Sequence, residues 1–456
     1  MWNPSSATSW RIWGGAVAAI DLSSYRKALD HAEPLRVYGR IDEITGIIIK
    51  ASGLRVSIGE ACKIYADTGP AIDAEVVGFR DGKVLLMAIG ELAGIKPGSR
   101  VLPIGKNVSV KVGPGLIGRV IDDRGNPIDG KGPIIGEDYP LFAVSPNPLT
   151  RQRITKPMDL GIRAINGLLT CGRGQRMGIM AGSGVGKSVL LGMIAKYTEA
   201  DVNIIALIGE RGREVREFIE RDLGEGLNKS VVVISTAEQP PLAKVRGAFT
   251  ATAIAEYYRG RGQNVLMLMD SLTRVAMAQR EIGLAIGEPP ASKGYTPSVF
   301  TMLPKLLERV GTSEGRGSIT GLYTVLVEGD DLQEPIADAT RAILDGHIVL
   351  SRELAMEGHY PSIDVLKSIS RVMPDIVDKG HREFAAKFVE TLATYKKMED
   401  MINLGAYKEG SNPKVDFAVT MIDRLKGYLR QGMNDRRDMG DSLQGLYMLF
   451  EEMQHE

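Results

Sequence analysis

The sequence predicts a multidomain protein: an N-terminal β-barrel, a central α/β P-loop domain with a mostly parallel sheet, and a helical C-terminal domain. Three observations carry this prediction. Residues 177–192, MGIMAGSGVGKSVLLG, pass from an apolar strand through a glycine-rich loop into an apolar helical pattern. Between 150 and about 370, near-continuous apolar runs alternate with amphipathic helical patterns, as expected of strands covered on both faces. After 375 those runs cease and apolar residues recur at helical spacing.

Taken in order, residues 1–35 hold all three tryptophans, Trp2, Trp10 and Trp13. Leu22, Tyr25, Leu29 and Ala32 follow at helical spacing, with Pro34 as a stop. Exposed tryptophans need cover, so this segment either packs back on the body or docks a partner. The apolar stretch 12–20 lacks the basic lead and the length of a signal peptide and is read as part of the same tail. Residues 36–112 are short β-rich runs punctuated by Gly53-Leu54, Asp81-Gly82 and Pro97-Gly98, the pattern of a small barrel. A glycine- and proline-rich linker occupies 113–134. Within 113–374 the strand-like runs are 177–180, 202–210, 231–236, 264–270, 319–330 and 347–351. Within 375–456, helical spacing covers 384–402 and 416–431, and Asp441 to Gln444 head a last helix with Leu443, Leu446, Leu449 and Phe450 along one side.

The glycine loop places chemistry on this frame. Gly182, Ser183, Gly184, Val185 and Gly186 can turn backbone N–H groups inward around a phosphate without a Cβ in the way. The helix that starts at Lys187, Ser188 and Val189 adds the partial positive charge of its N-terminus. Lys187 reaches the β- and γ-phosphates, and the Ser188 hydroxyl can ligate Mg²⁺. Ala181 stands where the motif usually opens with glycine, which is tolerable if its φ stays below zero. Asp270 ends the apolar run NVLMLMD, and an aspartate at that strand end can hold Mg²⁺ through water. Glu210 ends VNIIALIGE, and hydrolysis needs a carboxylate to orient the attacking water. Glu214 is a secondary polar contact there, although Arg211, Arg213, Glu214 and Arg216 also read as a charged surface. Arg371 follows a strand-like run as a salt-bridge residue or as an arginine offered across an interface. Tyr360 either packs in the core or stacks on adenine.

Composition narrows the classes. The chain has 456 residues, 44% hydrophobic and 25% charged, an ordinary globular balance with room for two or three domains. Lys+Arg and Asp+Glu are each 56, which argues against a dedicated nucleic-acid binder. Cys62 and Cys171 cannot make a disulfide framework and fit a reducing cytosol. Histidines and cysteines show no metal-site spacing, and no apolar run has transmembrane length. Asn228-Lys229 is followed by Ser230-Val231, so the guanine-recognition pattern of a GTPase is absent.

Four stretches together resemble one family. GERGREV (209–215), DSLTRVAMAQREIGLAIGEPPASKGYTPSVF (270–300), EGDDLQEPIADATRAILDGHIVLSREL (328–354) and GHYPSIDVLKSISR (358–371) are similar to the catalytic subunits of rotary ATP synthases and their relatives. Within that group AGSGVGKSVLLGM and residues 271–295 most resemble the flagellum-specific type III export ATPases, and the virulence export ATPases less closely. The resemblance spans roughly 36–450. It implies a RecA-like central domain, with an N-terminal segment 1–35, a barrel 36–112, an ATPase domain 113–374 and a helical domain 375–456. It implies ATP and Mg²⁺, Glu210 as the catalytic carboxylate, and Lys187, Ser188 and Asp270 at phosphate and metal. Arg211 and Arg274 match arginines near the phosphates, Tyr360 an adenine-stacking tyrosine, and Arg371 a finger presented to the neighbouring subunit.

One chain carrying both carboxylate and finger fits a homohexamer. Further implied partners are a dimeric regulator on residues 1–35, a stalk protein in the ring facing 287–295, export-gate membrane proteins, and export substrates with their chaperones. The implied location is cytoplasmic, peripheral at the inner-membrane export apparatus. The competing readings are a virulence export ATPase, a rotary ATP synthase subunit and a non-catalytic nucleotide-binding ring.

Overall fold

The computed structural model describes residues 22–23, 25–26 and 37–451, apart from 68, 106–107, 328 and 330. The tryptophans, and with them the choice between packing back and docking, lie outside the described residues.

Six strands close the barrel: β1 (Gly39–Thr45), β2 (Ile48–Ser52), β3 (Ala61–Tyr65), β4 (Ile72–Arg80), β5 (Lys83–Ala88) and β6 (Arg100–Pro103), in the order β1-β2-β5-β4-β3-β6. Asp81 and Gly82 have φ 51° and 72°, the pair of left-handed residues that lets a two-residue hairpin follow strand twist. Alternate side chains turn inward, so Ile41, Ile49, Cys62, Ile64, Val76 and Leu86 form a core separate from the rest.

The next strands are β7 (Ser109–Val112), β8 (Arg119–Asp122) and β9 (Glu137–Pro140), with β7 and β9 pairing as a two-stranded ribbon. Strand β8 corrects the reading of 113–134 as a linker, because it forms one edge of the large sheet. The other strands of that sheet are β10 (Arg176–Ala181), β11 (Val202–Glu210), β12 (Ser230–Thr236), β13 (Asn264–Asp270), β14 (Gly311–Thr312), β15 (Ser318–Leu326), β16 (Gly346–Leu350) and β17 (Ile363–Ser370). Their order is β17-β16-β10-β15-β13-β11-β12-β8, with β14 beside β15. All neighbours are parallel except β17 on β16 and β14 on β15. The linker is firmly built: Arg119 holds Asp129 through two bonds of 2.7 and 2.9 Å, which keeps that carboxyl well below its ordinary range.

Every residue of β11 is buried, and the two faces feed different cores. Ile204, Ala206 and Ile208 pack with Ala248, Ala251 and Ala255 of helix Pro241–Gly260. Ile205 and Leu207 pack with Leu190 and Ile194 of helix Lys187–Tyr197. This two-sided cover is why the run shows no polar alternation. Helices Lys379–Asn403, Pro413–Leu429 and Met439–Glu451 pack together and join the second of these cores through Phe388, Tyr428 and Phe450. Asp378 and Asn412 cap the first two, accepting from His381 N–H and Lys414 N–H.

The barrel meets the large sheet through apolar side chains, among them Ile48, Leu85 and Met87, and through charge. Asp73 of β4 pairs with Arg124 at 3.3 Å. Glu75 of β4 and Asp123 are buried near Arg246 of helix Pro241–Gly260. Burial pushes the Glu75 carboxyl from 4.5 to about 7 and that of Asp123 to about 6, with Asp122 raising the latter further and Arg246 opposing both shifts. A carboxyl raised by folding contributes stability below its unfolded value and loses it as pH rises through the folded one. The melting temperature should therefore rise by a few degrees between pH 8 and pH 6. Glu75→Gln should flatten part of that rise in a thermal-melt series, and an unchanged series would remove Glu75 as its source.

Candidate active site

The phosphate loop hangs from the middle of the sheet. Ala181 ends β10, paired with Leu326 on one side and Leu350 on the other. It belongs to the strand and not to the turn, and it is absent from the residues with positive φ, so alanine is accommodated there. The left-handed positions fall on Gly184 (φ 77°) and Gly186 (φ 84°), with Ser183 and Gly184 at the exposed crest. Val185 is buried, and its carbonyl accepts from Ser362 Oγ at 2.6 Å. The Tyr360 ring lies against the same turn, since a Cβ on Gly186 would stand 3.2 Å from Tyr360 Cε1. The Tyr360 carbonyl accepts from Gln431 N–H at 2.9 Å, which ties this half-exposed ring to the end of helix Pro413–Leu429.

Lys187, the first residue of the helix, gathers the strand-end carboxylates. Its Nζ lies 2.5 Å from Asp270 Oδ1 and 3.6 Å from Glu210 Oε1. Arg274 Nε approaches Glu210 Oε1 from the other side at 3.5 Å. A bulge aims Glu210: the β11–β12 register skips Gly209, whose φ is 72°, so that Glu210 pairs with Thr236. Glycine is required there, because a Cβ would meet Arg274 Cδ at 2.5 Å. Burial raises the Glu210 carboxyl above its ordinary value, while Lys187 pulls it down, Asp270 pushes it up, Arg274 lowers it and Glu214 raises it. Glu210 Oε1 is buried without a hydrogen bond.

Thr324 on β15 completes the group, its hydroxyl donating to Asp270 Oδ1 at 2.7 Å. Sequence reasoning missed this residue, although a polar side chain inside the apolar run ITGLYTVL was its signal. Ser188 follows Lys187 on the helix, and with Asp270 it offers hard oxygen donors beside the loop. No cluster of three or more His, Cys, Asp or Glu able to hold a metal occurs among the described residues. The Ser188 hydroxyl and the Asp270 carboxylate are the donors that suit Mg²⁺, which takes one or two protein oxygens and fills its shell from phosphates and water.

Two predicted residues stand apart. Arg211 is largely exposed and pairs with Glu214 at 3.4 Å, outside the Lys187 cluster. Arg371 sits at the opposite end of the strands, after Ser370, which pairs with Gly346, whereas the phosphate loop follows the Ala181–Leu350 pair. Four residue steps of strand, roughly 13 Å, separate those levels. Within one chain Arg371 cannot serve its own phosphate loop.

A glycine loop entering a helix N-terminus, with a lysine facing two strand-end carboxylates, defines the class of P-loop nucleotide-binding proteins. Three family models match: the beta-barrel domain of the ATP synthase alpha/beta family over 41–105, its nucleotide-binding domain over 161–370, and the T3SS EscN ATPase C-terminal domain over 377–447. The "Flagellum-specific ATP synthase" of Bacillus subtilis is 54% identical over 430 residues, 92% of this chain and 97% of that protein. A "Type 3 secretion system ATPase" of Xanthomonas euvesicatoria is 50% identical, covering 87% of this chain and 90% of that one. The assembled ATPase EscN from enteropathogenic E. coli superposes with a TM-score of 0.85 at 44% identity, over 90% of this chain and 99% of EscN. EscN in complex with its central stalk EscO gives 0.83 over the same shares. The chain belongs to the ATP synthase alpha/beta family, among its flagellum-specific and type III secretion ATPases. Its barrel, mostly parallel sheet and helical C-terminal region are those of that family, and it is a type III export ATPase with the flagellar system as its main reading. No helix among the described residues is long and apolar enough to cross a membrane.

Proposed function

We propose that the chain hydrolyses MgATP in a homohexameric ring and thereby helps deliver unfolded flagellar proteins to a membrane export gate. The observation that carries this reading is the split of the machinery. Lys187, Glu210 and Asp270 stand at one end of the sheet, and Arg371 stands at the other. In a ring of identical copies, each site is completed by Arg371 of the next subunit.

The residues divide the work. Backbone N–H groups of Gly182 to Ser188 hold the phosphates, and the Lys187 ammonium, which now compensates two carboxylates, turns to the β- and γ-phosphates. Glu210 orients a water in line with the γ-phosphorus and accepts its hydrogen bond. The water oxygen bonds to phosphorus as the bond to the ADP oxygen breaks, and the water's proton leaves through the Glu210 carboxylate. Ser188 and Asp270 would hold Mg²⁺, which supplies charge neutralisation on the phosphates when bound. Arg274, beside Glu210, and the exposed Arg211 face the phosphates as the ring closes. Tyr360 stacks on adenine above the loop.

EscN was solved with a central stalk, which supports a stalk partner against the 287–295 loop of this chain. Residues 1–35 are assigned to a dimeric regulator, and export-gate proteins, substrates and chaperones complete the partners. The balance of 56 basic and 56 acidic residues speaks against nucleic acid. The setting is cytoplasmic, peripheral at the inner-membrane export apparatus. Similarity to the Xanthomonas secretion ATPase and to EscN favours virulence export as the second reading.

Deletion of the gene should abolish motility and flagellin secretion, and only the wild-type chain, not Glu210→Gln, should restore both. Normal filaments in the deletion strain would overturn the flagellar assignment, and effector secretion would then decide the second reading.

A further inference from the structure

Arg371 is held in place at the far edge of the sheet. Its main-chain N–H donates to the Asp345 carbonyl at 3.0 Å. Its guanidinium donates to the carbonyls of Leu344 and Arg341, each at 3.3 Å. Both carbonyls belong to the C-terminal end of helix Pro335–Ile343, with Leu344 as the residue that ends it. The last carbonyls of a helix have no intrahelical donors and carry the negative end of its dipole, so they suit a guanidinium twice over.

The other end of this nine-residue helix faces a different site. The segment that leads into it, Asp331, Leu332 and Gln333, lines a cleft together with Ala181, Gly182 and Ser351, beside the chain's own phosphate loop. Arg341 spans the two ends. Its Nη1 reaches back to the Leu332 carbonyl at 3.5 Å, and its Nε is buried without a hydrogen bond. Through its side chain this residue touches the wall of the cleft that borders its own phosphate loop at Gly182. Through its carbonyl it holds the arginine presented to the neighbour.

We infer that Arg341 is a positioning residue that couples the state of a subunit's own cleft to the placement of Arg371 in the adjoining site. The inference rests on the reading of Arg371 as the residue that completes a neighbour's site. A nucleotide that contacts residues 331–333 differently when bound and when absent shifts Leu332. Arg341 passes that shift to the helix, which is short enough to move as a body, and its terminal carbonyls carry the Arg371 guanidinium with them. The warrant for such coupling is an element that both sites can bias, and helix Pro335–Ile343 touches both.

The test is a double-mutant cycle on steady-state ATP turnover at ring-forming concentration, with wild type, Arg341→Ala, Arg371→Ala and the double variant. Arg341→Ala should lower kcat about tenfold and leave KM within about twofold. In the Arg371→Ala background the same change should cost nothing further, because Arg341 acts only through Arg371. A general packing role would lower turnover by the same factor in both backgrounds and would overturn the inference. Arg341→Met keeps the stem and removes the donors, so it serves if the alanine variant does not fold, and it should show the same loss. Arg341→Lys, which restores one donor toward Leu332, should recover most of the rate. If Arg371→Ala itself turns over normally, the reading of Arg371 fails. If Arg371→Ala collapses while Arg341→Ala and Arg341→Met keep the wild-type kcat, only the coupling fails.

Discussion

Glu210→Gln should bind ATP about as tightly as wild type and turn it over about 10²–10⁴-fold more slowly. The amide keeps the size of the side chain but cannot accept a proton from water. The change should also ease the site electrostatically, because Glu210 is a buried carboxylate that shares one lysine with Asp270. Ground-state affinity should therefore hold or improve, and the loss should fall on kcat. Nucleotide titration by fluorescence, beside a phosphate-release assay, separates the two quantities. Equal loss of binding and turnover would instead assign Glu210 to holding the loop together. The raised Glu210 carboxyl has a second consequence. Turnover should fall on acidification at higher pH than an ordinary glutamate would dictate, and Glu210→Gln should abolish that limb.

Arg371→Ala should cost more, about 10³–10⁵-fold in kcat, with nucleotide affinity nearly intact. The difference lies in where the residue works. A variant chain keeps a complete phosphate loop and spoils only the site of its neighbour. Wild-type activity should rise steeply with subunit concentration as sites are completed, and that rise should vanish in Arg371→Ala. Mixing supplies a strong check. Equal amounts of Glu210→Gln and Arg371→Ala subunits, each inactive alone, should recover about a quarter of wild-type turnover, since random neighbours bring a sound carboxylate and a sound arginine together about that often. No recovery from co-assembled rings would place both residues in one subunit's site.

Much of this architecture is legible in the residues. The apolar runs at 202–210 and 264–270 mark buried strands because both faces of each strand are covered, and their terminal Glu210 and Asp270 are conspicuous for ending such runs. Strand β8 is less legible. It is four residues long and flanked by turn-forming glycines, and its place at the sheet edge depends on pairing with β12, more than a hundred residues later. Thr324 escapes for a related reason: it is one of several hydroxyls in β15, and nothing singles it out until Asp270 is known to face it. The bulge at Gly209 is a register event between two strands, and a single strand cannot report it. Arg211 shows the opposite difficulty. Its charged surroundings fit a phosphate site and a solvated helix equally well, and within one chain it lies on the surface beside Glu214.

The large sheet has one long strand that runs against the others, β17, and it determines more than shape. Had that strand entered in parallel, its end would lie on the same side as the phosphate loop, and Arg371 would sit near its own nucleotide. Reversal carries the arginine to the opposite end of the strands, away from its own phosphate loop. With Arg371 in the role proposed, a cell can accumulate loose subunits without draining its ATP pool. Hydrolysis begins where copies meet, so the place and moment of fuel consumption are decided by whatever gathers the ring.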